Sequence, residues 1–263
     1  MQLIMNFSRL CLMAATAAVL FTSCKKDNSE NGPTPPPAMG TKLKKVSMDN
    51  EVMEFGYGAD GTLQTVKANN DLTTSGEVTT FNITYTADKK ISELRSTGGP
   101  RIVAHYNNNQ LATADIFENN TQIATIRYEY LNAVLKSASV EVQGFEALKF
   151  SFAYDAAGNV GKTTILSLNP LTDQLEVTGS TEYVYDSKTN PMHAHKNLMY
   201  LLLQNISKNN ITKETERDEL NAISETTEYT YTYNSQSLPQ TATVKTTTAG
   251  NPSVNSTMVF SYQ

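Results

Sequence analysis

From Lys42 onward the chain repeats one short phrase, and that phrase restricts the fold more than any other feature. Its clearest copy is Phe150-Ser-Phe-Ala-Tyr-Asp-Ala-Ala-Gly-Asn-Val160. Phe150, Phe152 and Tyr154 alternate along one face, Asp155 to Asn159 reverse the backbone, and an apolar residue restarts a strand. Weaker copies are anchored at Phe55-x-Tyr57, Ile83-x-Tyr85, Ala104-x-Tyr106, Tyr128-x-Tyr130, Tyr183-x-Tyr185, Tyr231-x-Tyr233 and Phe260-x-Tyr262. An apolar residue follows most anchors by five or six positions: Leu63, Ile91, Leu111, Leu135, Val160 and Leu238. Alternation of this kind marks strands with one buried face. The Gly, Asn and Asp between them tolerate the positive φ that hairpin turns require.

Each unit is therefore a hairpin plus a return strand, and the chain predicts an all-β fold, a long antiparallel meander. A lone hairpin is marginal in water, so each must stack on its neighbours. A ladder of Phe and Tyr, each burying about 150–250 Å², forms the spine of the core. We expect one domain over residues 41–263 with roughly 14 strands, curled as an open sheet or a partly closed barrel. One interval breaks the rhythm, the 48 residues from Tyr185 to Tyr233. It contains Asn190-Pro191 and the apolar run Met192 to Leu203, which has good helix formers and no β-branched residue. A short helix near residues 193–203 is expected there, packed on the sheet or plugging an open end. The charged run Lys213 to Glu219 reads as an exposed hairpin end.

The N-terminus speaks to address. Arg9 is the only charge before an apolar run of 12 residues, Leu10 to Phe21. That is too short for a membrane span, which needs about 20 residues, and suits a secretory signal. The run ends Phe21-Thr-Ser-Cys24, which resembles a bacterial lipoprotein signal, with Phe21 where leucine is usual and Leu20 one earlier. The resemblance implies removal of residues 1–23 and lipidation of Cys24, hence attachment to a membrane through several acyl chains. Lys25 to Gly40, with Pro35-Pro-Pro37, is a flexible tether. Cys11 goes with the signal, so no thiol or disulfide is expected in the mature domain, and a domain of this length can hold a core without one.

Charge and motifs exclude more than they assign. Loss of Arg9 leaves 20 basic groups against 26 acidic ones. That balance, with no Lys/Arg cluster, argues against nucleic acid as a partner. Ala156 to Thr163 matches a loose phosphate-binding loop, yet strand-forming residues follow where a helix is required, and the hairpin repeat already accounts for Gly158 and Gly161. No nucleotide or other cofactor is expected. His193-Ala-His195 and His105 are the three histidines; even with Asp186 nearby they show no ligand spacing, so no metal is expected. There is no Gly-x-Ser-x-Gly, nothing marks a triad, and no catalytic residue is assigned. A carboxylate pair for glycoside hydrolysis is compatible with the many Asp and Glu, but the chain has no tryptophan to stack a sugar.

The phrase Tyr154-Asp155-Ala-Ala-Gly158-Asn159-Val160 resembles the YD repeat of Rhs-type and teneurin proteins, whose hairpins wind into a curled or closed β-shell. The match is sharpest at residues 150–160 and 183–186. It weakens where Tyr57 is followed by Gly58, Tyr85 by Thr86 and Tyr106 by Asn107. The whole layout, with Asn190-Pro191 and Ser207-Lys-Asn209-Asn210, resembles small Bacteroidetes outer-membrane lipoproteins without assigned function. These resemblances imply an outer-membrane, lipid-anchored position on the periplasmic face or the cell surface, and no catalytic residue. The expected role is a non-catalytic envelope lipoprotein presenting a sheet surface to a protein or glycan partner. The alternatives are a carrier enclosing an apolar or glycan ligand, and a hydrolase with an unrecognised carboxylate pair.

Overall fold

The computed structural model describes residues 41–69, 78–204 and 206–263; the signal, Cys24 and the tether lie outside them. Sixteen strands follow one another among the described residues. The first eight are β1 (Leu43–Met48), β2 (Glu51–Tyr57), β3 (Leu63–Asn69), β4 (Val78–Tyr85), β5 (Ile91–Ser96), β6 (Arg101–Asn107), β7 (Gln110–Glu118) and β8 (Thr121–Leu131). The rest are β9 (Val134–Val142), β10 (Phe145–Tyr154), β11 (Val160–Asn169), β12 (Gln174–Thr189), β13 (Asn209–Asp218), β14 (Ile223–Tyr233), β15 (Pro239–Thr248) and β16 (Val254–Tyr262). Each pairs antiparallel with its neighbours in sequence, and β1 pairs with β16, so the sheet is a closed barrel.

Closure corrects the expectation of an open or partly closed sheet, and sixteen strands replace fourteen. Eight anchors make sixteen strands because the return strand of the last anchor, Tyr262, is the first strand of the chain. Leu43 lies opposite Tyr262 and Val46 opposite Phe260, apolar against aromatic on the inner face. An open sheet would leave two rows of unpaired backbone groups, and closure removes both edges.

The anchors share one local device. At all eight the register slips by a residue, between Gly56 and Tyr57, Ala153 and Tyr154, Thr232 and Tyr233, and so on round the barrel. Such a bulge puts two residues of one strand opposite one of its partner. It allows residues three apart to face inward: Leu63 with Val66, Ile91 with Leu94, Leu135 with Ala138, all buried. The turn beside it is equally regular. Asp155 N–H donates to the Asn159 carbonyl at 2.8 Å and Gly158 N–H to the Asp155 carbonyl at 3.0 Å, with Gly158 left-handed at φ +81°. The same pair of bonds closes residues 58–62, 86–90 and 234–238.

The anchor tyrosines sit at one rim, where five of their hydroxyls reach sideways. Tyr57 donates to the Leu43 carbonyl, Tyr85 to Leu63, Tyr154 to Leu135, Tyr185 to Val160 and Tyr262 to Pro239, at 2.6 to 2.9 Å. Each bond ties the end of one hairpin to the start of the return strand before it, so the repeat is a collar as well as a core.

The inner wall is apolar over β1–β10, where Leu94, Ile116, Ile126 and Val140 are almost wholly buried in one cluster that also takes in Leu198 and Leu201. Burial of each large side chain contributes roughly 1.5–3 kcal/mol. A smaller cluster of Met48, Ala242 and Val244 packs with Tyr229, Tyr231, Met258 and Phe260. The outer wall carries cross-strand ion pairs: Lys45 with Glu54, Arg101 with Glu93, Arg127 with Glu141, Lys162 with Glu182, Lys213 with Glu228. Each such surface pair adds only about 0–1 kcal/mol, but their direction matters, because a barrel that faces lipid is apolar outside and polar within. This barrel is the reverse.

Candidate ligand cleft at the plugged rim

The long connection between β12 and β13 folds into the barrel at the tyrosine rim. Asn190 Oδ1 accepts from Met192 N–H at 2.9 Å, and Pro191 opens a 3-10 turn, Pro191–His195. Proline suits that first position, where its missing N–H would have no partner. Helix α1 (Lys196–Leu201) follows and buries Leu198, Met199 and Leu201. The sequence expectation of a helix near 193–203 thus holds for its core, with the first turn tighter because proline precedes it. Tyr128 Oη donates to the Tyr200 carbonyl at 3.0 Å. His195 stacks on Phe55 with ring centroids 5.9 Å apart, and its Nε2 meets Tyr57 Oη at 3.0 Å.

The segment returning to β13 is stapled by side chains. Ser207 Oγ accepts from Val160 N–H and donates to Tyr185 Oη, each at 2.9 Å. Asn159 Nδ2 donates to Asn209 Oδ1 at 3.1 Å, and Asn209 N–H returns to Asn159 Oδ1 at 3.3 Å. Asn210 donates twice to Asp186, whose carboxylate also takes the Tyr233 hydroxyl. The Ser-x-Asn-Asn stretch is therefore a fastening between the plug and two hairpins.

Between plug and rim lies a cleft of about 320 Å³. The plug contributes His193, Lys196, Asn197 and Tyr200; Ser207 and Lys208 close one side; Asn109, Gln110, Tyr130 and Tyr154 come from the hairpin ends opposite. No carboxylate lines it. Burial, then Lys196 and Lys208, hold His193 below the usual histidine range. Burial and the neighbouring Tyr154 push the Tyr200 phenol up to about 12. Such a lining offers cationic and neutral donors beside aromatic faces.

A second polar group sits inside the barrel wall. Glu214 and Glu216 of β13, Glu225 of β14 and Tyr183 of β12 all face inward, since Glu214 lies opposite Tyr183 and Thr227, and Glu216 opposite Glu225. Glu214 is 5% exposed and bonded to Tyr229, and burial, with Glu216 beside it, pushes its carboxyl up to about 8. Burial and Glu225 raise Glu216 as well. Thr248 Oγ1 donates to Glu225 at 2.8 Å. Glu214 can hold a proton at neutral pH, but it is buried and does not line the rim cleft. Lys213 to Asp218 is thus strand, and the turn is 219–222; this corrects the expected exposed hairpin end. Alternation sends Lys213, Thr215 and Arg217 outward and Glu214 and Glu216 in.

The other sequence candidates fall apart in space. Cys24 lies outside the described residues. Asp155, Gly158 and Asn159 serve the turn, and Lys162 and Thr163 lie on β11, with Lys162 paired to Glu182. His193 is in the cleft, His195 in the plug's core contact, and His105 on the outer wall against Asp115 at 2.9 Å. Asp186 faces Tyr233 and Asn210, not a histidine. Among the described residues no three His, Cys, Asp or Glu converge as metal ligands would. Sequence reading missed Lys196 and Lys208, whose only signal was their place at the first position of an apolar helix and just beyond its end.

No protein-family model matches the chain, and no curated protein matches it. Solved structures do. A porin-like protein from Bacteroides uniformis overlaps 87% of this chain and 99% of its own, at 16% identity and a TM-score of 0.58, which shows a shared fold. A porin-like protein from Bacteroides vulgatus overlaps 85% of this chain and 99% of its own at 10% identity, with a TM-score of 0.39. A Tc holotoxin pore structure from Photorhabdus luminescens overlaps 78% of this chain and 11% of its own at 12% identity, with a TM-score of 0.34.

Proposed function

We propose that this is a non-catalytic cell-envelope lipoprotein, attached to the membrane by lipidated Cys24, whose barrel presents the plugged-rim cleft to a ligand. The observation that carries this reading is the pairing of a charged, ion-paired outer wall with an interior packed by aromatics and by Leu198 and Leu201 of the plug. A wall of that kind belongs in water, so attachment falls to the N-terminus, and a packed interior leaves ligand binding to the rim. The porin-like description of the Bacteroides neighbours fits an envelope address; conduction is not part of the proposal, because side chains occupy the bore. The buried position of Glu214 supports a non-catalytic role, as does a cleft whose Ser207 hydroxyl is already committed at both ends.

Fractionation of cells expressing the full chain tests the anchor. Wild type should sediment with membranes after a high-salt wash, and Cys24→Ala should move to the soluble fraction. Retention of the Cys24→Ala chain in washed membranes would overturn the reading. Current across planar bilayers carrying the purified protein would overturn the sealed barrel, and protease treatment of intact cells separates surface from periplasmic display.

A further inference from the structure

The geometry points to a small hydroxylated organic anion, of the size and chemistry of an acidic monosaccharide, as the ligand of the plugged-rim cleft; this rests on the ligand-presenting reading above and names what the cleft takes. The chain is acidic, with a formal net charge of −5, yet the cleft is lined by Lys196, Lys208 and His193 and by no carboxylate. Both lysines lie close enough to His193 to oppose its protonation. Among the described residues neither lysine has an acidic partner, whereas Lys45, Lys162 and Lys213 on the outer wall each have one across the strand. Unpaired cations around a partly enclosed space favour an anion and disfavour a cation.

Neutral donors say more about the rest of the ligand. Asn109 Oδ1 accepts from Lys90 Nζ at 2.7 Å, which leaves the NH₂ of Asn109 as a donor. Gln110 and Asn197 add further amides. The Tyr154 ring is held beside the space by its bond to the Leu135 carbonyl, and the backbone that carries Tyr200 is held by the bond its carbonyl accepts from Tyr128. A ring with hydroxyls at its edge and C–H groups on its face matches amide donors at the rim and phenol faces within. The volume, about 320 Å³, is at the small end for ligand clefts and admits one such ring. Because the plug is stapled on both sides, the site is formed before the ligand arrives.

Calorimetric titration of the purified full-length chain in detergent, with D-glucuronate, D-glucose and inorganic sulfate at low salt, tests this. Charge-assisted bonds predict that glucuronate binds about tenfold or more tighter than glucose and tighter than sulfate, which lacks the ring. Lys196→Gln with Lys208→Gln should remove that preference while the melting temperature stays put. His193→Gln should abolish the strengthening of glucuronate binding as pH falls below the usual histidine range. Equal binding of glucose and glucuronate, sulfate binding as tight as glucuronate, or an unaltered preference in the double lysine variant would overturn the assignment. A glycan array separates the two levels. Capture of neutral sugars alone removes the anion and keeps a ligand-presenting barrel, whereas silence across neutral and acidic glycans removes both.

Discussion

The Tyr154 hydroxyl donates to the carbonyl of Leu135 at 2.6 Å, binding the end of β10 to the start of β9's return path. Tyr106 holds the corresponding place two anchors earlier, and its hydroxyl is buried with no partner among the described residues. Two tyrosines with the same position in the repeat therefore have opposite hydroxyl energetics. Tyr154→Phe leaves a carbonyl without its donor and should cost about 1 kcal/mol. Tyr106→Phe removes an unsatisfied polar atom and should be neutral or stabilising. Urea denaturation of both variants checks the contrast, and equal losses would refute it.

Gly158 is left-handed with open space where a Cβ would go. Gly158→Ala thus meets no clash, and its cost is conformational alone, about 1 kcal/mol or somewhat more. Gly158→Asn should cost less, since asparagine tolerates that region. A thermal melt in which alanine outperforms asparagine would contradict this account of the turn.

Ser207 answers the backbone N–H of Val160, which is buried at the edge of a bulge. Ser207→Ala leaves that N–H unpaired and should cost about 1–3 kcal/mol. Amide exchange at Val160 reports it directly: exchange should quicken there more than at core strands such as β8.

Glu214 ties stability to pH. Its carboxyl is raised from 4.5 to about 8, so the folded state holds a proton that the unfolded chain releases. That contribution is complete below about pH 4.5 and is lost as pH climbs through about 8. The melting temperature should fall over this window, and Glu216, also raised, steepens the fall. Glu214→Gln should flatten the curve and be the more stable protein at pH 8 by a few kcal/mol at most. A wild-type melt that rises between pH 5 and 8 would remove the claim.

The aromatic anchors were legible because a period of two with a turn every few tens of residues has few readings. The bulge was not. Leu63 and Val66, or Leu135 and Ala138, are three apart, which on paper suggests a helical face, and only the paired register shows one strand carrying an extra residue. Glu214 was hidden for a different reason: Lys213-Glu-Thr-Glu-Arg217 reads as a solvated run, and the alternation that buries every second member looks the same whichever face is inside. Lys196 and Lys208 belong to a cleft assembled from a helix and three hairpin ends, so their meeting with Asn109 and Tyr154 exists only in three dimensions.

Closure between β1 and β16 has a kinetic meaning. Every other ladder joins strands adjacent in sequence, whereas Lys42 and Gln263 exchange backbone bonds at 3.2 and 2.9 Å across almost the whole domain. The meander can zip locally, but the seam forms only after the last strand exists, and contacts of such long range are slow to form. The same seam brings the two ends of the barrel side by side. A short link joining Lys42 to Gln263, with new ends opened at the Thr172 turn, should make the β1–β16 pairing local and hand the late, long-range seam to β11 and β12, which then become the last and first strands.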